Sequence, residues 1–168
     1  SRLLAIVSRH PERAGYLKQF YQGVSPEFTS VLSYVTGNPD LHVAIVATPP
    51  AVRIDLIKQL AVAGKHILLE KPVARNLDEA EQVVQICKEA GVRLGVVFQH
   101  RVRPSTHVAK RLLAEGALGR PGYVEIAVPI WRAQSYYDEL GRGSYARDGG
   151  GVLITQAIHS IDLALHLL

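Results

Sequence analysis

Methionine is absent from the 168 residues, and cysteine occurs only once, as Cys87. A single thiol excludes an internal disulfide, so a reducing, cytoplasmic compartment fits the chain best and a buried structural role suits the thiol. No apolar run reaches the roughly 20 residues that a bilayer span requires, because Lys65, His66, Glu70 and Lys71 interrupt the most hydrophobic stretches. No membrane partner is therefore expected, and no signal-peptide pattern is visible. Internal repeats, low-complexity tracts and metal-ligand spacings are missing as well, since the seven histidines are scattered and the cysteine is alone. The chain opens on Ser1-Arg2 and a strand-like run, and it closes on an apolar helix without a glycine or proline stop. That pattern is expected of a piece of something longer.

A hydrophobic content of 48% is ample for a buried core, in one domain or one domain with part of a second. The formal charge is +4, with basic residues spread along the chain and interleaved with carboxylates. Such a distribution is a weak argument for nucleic acid, which is not expected as a partner, and it suits a small anionic ligand, such as a nucleotide phosphate or a sugar carboxylate, at least as well.

Short β-rich runs alternate with longer helical patterns in the first half, the rhythm of βαβ units closing a parallel sheet. Strands are expected over residues 3–7, 42–47, 65–69 and 92–98, with the 42–47 run apolar enough to be buried on both faces. Helices are expected over 11–21, 28–35, 51–63, 76–90 and 105–115, with Asn76 as an N-cap and Gly64 and Gly91 as stops. The pattern then changes. Residues 122–131 read as strand, 132–151 are rich in glycine, charge and tyrosine without clear periodicity, and 152–168 read as one uninterrupted helix. This shift divides the chain into 1–120 and 121–168.

Glu70-Lys71-Pro72 directly follows the run Ile67-Leu68-Leu69 and so presents a lysine at a strand's carboxyl end, where open α/β sheets place their ligands. A lysine in that crevice is a proton donor or acceptor, with Glu70 as its charge partner; an ordinary ion pair at a surface strand end is the alternative. Thr155, His159 and Asp162 lie at i, i+4 and i+7 of a helix made for burial, where polar groups need partners. His159 is there either a satisfied core residue or a reactive one. Gly149-Gly150-Gly151 before it permits close backbone approach to a ligand, or is a flexible loop. Ser8-Arg9 follows the first strand, where dinucleotide folds read the adenosine ribose; serine with arginine suits a 2′-phosphate, hence NADP somewhat over NAD, unless Arg9 is a solvated loop residue. Trp131, Arg132, Tyr136 and Tyr137 combine aromatic rings with a guanidinium, which fits a sugar or other polyol or, equally, loop packing.

Taken in order, the segments Val43-Ala44-Ile45-Val46-Ala47-Thr48-Pro49-Pro50, Gly64-Lys65-His66-Ile67-Leu68-Leu69-Glu70-Lys71-Pro72 and Gly149 through Asp162 resemble the Gfo/Idh/MocA oxidoreductases, in a sugar or inositol dehydrogenase-like branch. The resemblance covers nearly the whole chain. It implies an α/β fold: a partial Rossmann, doubly wound parallel sheet for NAD(P) in residues 1–120, then the start of an α/β substrate and oligomerisation domain in 121–168. It also implies a homo-oligomer, a sugar, inositol or related polyol as substrate, and hydride transfer to or from nicotinamide. Lys71 and His159 match the family's catalytic lysine and histidine. Thr48, Pro49, Pro50, Glu70, Lys71 and Gln99, with Ser8 and Arg9, would line the cofactor, and Lys71, Arg132, Tyr136, Tyr137, Thr155 and His159 the substrate. Two departures stand out: Thr155 occupies a position where many members carry an aspartate, and the glycine-rich strand–turn–helix of the cofactor domain is missing. A sensor that binds dinucleotide without turnover, or an inactive part of such a fold, is the competing expectation.

Overall fold

The computed structural model, which describes residues 2–168, contains five short strands: β1 (Ala5–Val7), β2 (Glu27–Thr29), β3 (Val43–Val46), β4 (His66–Glu70) and β5 (Leu94–Val97). All pairings are parallel, so each strand is reached by a crossover. The strands form two sheets, β1 with β2 and β3–β4–β5 with β4 in the middle. These match the flanks 3-2 and 4-5-6 of the doubly wound order 3-2-1-4-5-6. Among the described residues the α-helices are α1 (Ser33–Thr36), α2 (Arg53–Val62), α3 (Leu77–Glu89), α4 (Pro104–Ala114), α5 (Gln134–Tyr137), α6 (Tyr145–Asp148) and α7 (Ile158–Leu167).

The core forms where β3 and β4 meet α2 and α3. Val46, Ile67 and Leu69 from the strands pack with Ile57, Leu60 and Ala61 of α2 and Val83 and Cys87 of α3. Each fully buried aliphatic side chain contributes about 1.5–3 kcal/mol relative to exposure. Cys87 is the buried thiol expected, and desolvation raises its pKa. α3 starts as its sequence dictates, with the Asn76 side chain accepting from the amide of Glu79 at 2.9 Å, and Gly64 and Gly91 take the positive φ that ends α2 and α3.

Four expectations are corrected. β3 is not buried on both faces: Val43 and Ile45 are 53% and 66% exposed, because α2 and α3 cover only the other face. Residues 28–35 do not form a helix; Glu27–Thr29 is drawn into the ladder with β1, and only Ser33–Thr36 is helical. Tertiary pairing there overrides local propensity. Residues 122–131 join no strand ladder among the described residues. The 152–168 helix is interrupted, because Leu153–Ala157 is a π-helical turn that precedes α7. In addition, Pro11–Phe20 winds as 3-10 helix with no buried residue.

Candidate active site

The carboxyl ends of β3, β4 and β5 point the same way, and each releases one sequence-predicted residue at that edge: Thr48, Lys71 and Gln99. The π-helical turn and α7 close over the edge, with α7 packed on the Gln99–Val102 turn that follows β5. Lys71 Nζ donates to the carbonyl of Thr155 at 2.7 Å, 84 residues away in the chain. This bond joins the two regions that the sequence shift separates. A π-turn shifts backbone pairing away from the i→i+4 ladder, and such turns concentrate at functional sites. The Thr155 hydroxyl itself turns back to the carbonyl of Gly151 at 2.9 Å.

His159, the second residue of α7, stacks on His100 with ring centroids 5.0 Å apart and meets the edge of Phe98 at 6.4 Å. Burial pushes its pKa below the usual imidazole value, and the charges of Lys71 and His100 push the same way. The ring is therefore neutral at pH 7. Its Nδ1 is buried without a hydrogen-bond partner, and so is Oγ1 of Thr48. Two unpartnered polar atoms at one strand edge are what a polar ligand would satisfy.

Asp162, 8% exposed, is held by Arg101 through a bidentate pair, with Nε to Oδ2 at 2.8 Å. Its carboxylate is thereby committed to fastening α7 to the turn after β5. Lys71 lacks the expected pairing with Glu70; its polar contact is the Thr155 carbonyl.

Gly149, at φ +88°, ends α6, and a Cβ there would lie 2.6 Å from the backbone of Arg75. The close approach is thus between two backbones, which seats the glycine triplet against the loop that leaves Lys71. Arg75 reinforces it by donating to the carbonyl of Ala146 at 2.8 Å while pairing with Glu79. The flexible-loop alternative does not describe Gly149.

Of the aromatic segment, the structure brings Arg132 and Tyr136 to the site's rim. The Tyr136 hydroxyl accepts from Gln156 Nε2 at 2.9 Å, Arg132 lies 5.4 Å from the Tyr136 ring and donates to Gln156 at 3.5 Å, and Gln156 adjoins Thr155. Tyr137 packs edge-on against Tyr136 and is half exposed, while Trp131 is 82% exposed. Pro49 and the buried Pro50 lead from Thr48 into α2. Ser8 and Arg9 follow β1, on the other sheet; Ser8 Oγ accepts from the amide of His10, and Arg9 is exposed. Two clefts elsewhere, one lined by Phe20 and Tyr21 and one by Val73 and Leu77, contain none of these residues.

Sequence reading missed three participants. His100 follows Gln99 at a strand end, a position that could have flagged it. Gln156 opens the Gln-Ala-Ile-His run that leads to His159 and lies within the segment carrying the resemblance, a signal that could have found it. Arg53 heads an amphipathic helix, yet it is 3% exposed and donates to the carbonyls of Thr48 at 2.8 Å, Glu70 at 2.6 Å and Pro72. Desolvation lowers its pKa to about 10, opposed by Glu70, so it is charged at neutral pH.

A family model described as an oxidoreductase family with an NAD-binding Rossmann fold, GFO_IDH_MocA, matches residues 1–98, and a model of the GFO/IDH/MocA C-terminal domain matches 106–168. The chain is 32% identical over 141 residues to levoglucosan dehydrogenase of Pseudarthrobacter phenanthrenivorans, spanning 83% of this chain and 36% of that protein. It is 31% identical over 163 residues to 1,5-anhydro-D-fructose reductase of Ensifer adhaerens, covering 95% and 47%. Among solved structures, the WlbA dehydrogenase from Bordetella pertussis in complex with NADH and UDP-GlcNAcA superposes with a TM-score of 0.85 at 32% identity, over 99% of this chain and 47% of that one. The chain thus spans less than half the length of these relatives.

Proposed function

The chain belongs to the Gfo/Idh/MocA oxidoreductase family, and we propose that it carries the proton-transfer half of a nicotinamide-dependent dehydrogenase site acting on a sugar, inositol or related polyol. The single observation behind this reading is the bond from Lys71 Nζ to Thr155, which sets an amine beside the neutral imidazole of His159 at the strand edge. A bound NAD(P) supplies or accepts the hydride. The unpartnered Thr48 hydroxyl fits its polar atoms, with Pro49, Pro50, Glu70 and Gln99 as the remaining wall.

Proton handling falls to two side chains. His159 takes the substrate hydroxyl proton as the carbon gives up hydride, and it returns that proton in the reverse direction. The Lys71 ammonium, fixed by one bond, directs its remaining N–H groups toward the oxygen on which negative charge develops. Asp162 contributes no base, because Arg101 holds both of its oxygens. Arg132 and Tyr136 form the polyol-facing rim, residues 1–120 the cofactor half and 121–168 the opening of the substrate half.

A cofactor-binding protein without turnover is favoured by one observation, the Thr155 hydroxyl engaged with its own helix. Steady-state NAD(P)H absorbance over a panel of sugars and polyols, in the polypeptide that carries this chain, separates the two. Lys71→Ala and His159→Ala each lower kcat/KM by at least ~100-fold on the general acid–base reading. Tight cofactor binding with no turnover on any polyol sinks that reading. The lone buried thiol supports a cytoplasmic setting, and the family likeness a homo-oligomer.

A further inference from the structure

The bond from Lys71 Nζ to Thr155 fixes only the far end of the side chain. Its base is held by another residue. Lys71 lies between Glu70 and Pro72, and the carbonyls of both neighbours accept from Nη1 of Arg53. Nε of the same guanidinium donates to the carbonyl of Thr48, at the end of the adjacent strand. One planar group therefore ties together the turns that leave β3 and β4, with Lys71 enclosed between two of its anchor points.

Three physical facts argue against Arg53 as an ordinary helix residue. It is the first residue of α2, at the positive end of the helix dipole, where a cation is disfavoured. It is buried at 3% exposure, which penalises the charge further. It has no carboxylate hydrogen-bond partner: all three of its bonds go to backbone carbonyls. A cation held at such cost is offset by satisfying three carbonyls at once, a geometry that the guanidinium fork permits and a lysine ammonium on a flexible stem does not reproduce.

We propose that Arg53 is a positioning residue that sets the placement of Lys71 relative to Thr48 and Thr155. The proposal rests on the reading of Lys71 as part of the proton relay. It is tested without turnover, by peptide-resolved acylation of lysines across pH 6–10 in the wild-type chain, Arg53→Lys and Arg53→Gln, with exposed Lys88 as internal standard and circular dichroism reporting the fold. Release of Lys71 raises its labelling relative to Lys88 by about tenfold, the worth of one charged hydrogen bond, and shifts its pH profile while the dichroism is unchanged. Arg53→Lys falls between wild type and Arg53→Gln. An unchanged Lys71-to-Lys88 ratio in the folded variants overturns the proposal. Collapse of both variants to unfolded chain overturns it too, by assigning Arg53 to stability alone. Should Lys71 prove dispensable for turnover, the labelling result still stands, so failure of the catalytic reading and failure of this one are distinguishable.

Discussion

The sheet β3–β4–β5 and the sheet β1–β2 are both parallel and both made of short strands, yet they differ in what lies against them. α2 and α3 cover one face of the first, burying Ile57, Leu69 and Val83 completely. Beside the second, the 3-10 segment Pro11–Phe20 buries nothing, and Tyr16, Phe20, Val24 and Val31 are more than half exposed. The residues proposed to handle protons, Lys71 and His159, stand at the end of the well-packed sheet or on the helix docked over its edge. Arg9, the residue read as choosing the cofactor, leaves the poorly packed one. Rigid placement is needed where a proton moves between named atoms, whereas an exposed residue such as Arg9 is held less tightly by its surroundings.

The largest test of that contrast is paired truncation. Leu69→Ala is expected to cost about 3 kcal/mol, because it empties a completely buried site between β4 and the helices. Phe20→Ala, at 72% exposure, is expected to change stability by no more than about 0.5 kcal/mol. Urea unfolding measures both, and equal losses would break the contrast. Next in size is Gly149→Ala, at about 2 kcal/mol, since the new Cβ meets the Arg75 backbone in a left-handed conformation. The same substitution loosens the junction that brings Thr155 to Lys71. Wild-type melting temperature in Gly149→Ala would remove the glycine from the account of the site.

Arg9→Ala touches no core residue, so it separates cofactor choice from folding. Loss of one charge-assisted contact is expected to weaken NADP about tenfold relative to NAD, with the melting temperature unchanged. Fluorescence titration with both reduced cofactors checks the ratio. An unaltered ratio transfers the choice to another residue.

What the sequence made legible follows the same division. Strand β4, its Lys71 turn, the Asn76 cap and the glycine stops of α2 and α3 were readable, because each depends on residues adjacent in the chain. β2 was misread as helix because its pairing with β1 is a tertiary event that residues 28–35 do not announce. Val43 and Ile45 were assigned to a buried strand from their apolarity, although burial depends on which faces receive helices. The π-turn could not be read from a helical pattern that runs without Gly or Pro from 152 to 168. Arg53 was invisible for a related reason: an arginine on a helix is usually solvated, and only the spatial convergence of Thr48, Glu70 and Pro72 around it reveals otherwise.

The smallest expected effect concerns pH, and its sign is fixed by the two stacked imidazoles. His159 and His100 both titrate below the ordinary imidazole value in the folded chain, first because burial disfavours their charge, then because nearby cations oppose it: Lys71 for His159 and Arg103 for His100. Asp162 pulls both back weakly, and Glu70 does so for His159. The unfolded chain takes up protons near pH 6.5 that the folded site refuses, so protonation favours unfolding. Stability from this source is complete above about pH 6.5 and declines as pH falls toward the lowered folded values. His159→Gln and His100→Gln should each flatten the decline between pH 7 and 5, and the double variant should flatten it less than the sum, because the stacked rings disfavour each other's charge. A melting temperature that rises from pH 7 to pH 5, or a slope that survives in both His159→Gln and His100→Gln, would move the pH-sensitive region away from the strand edge.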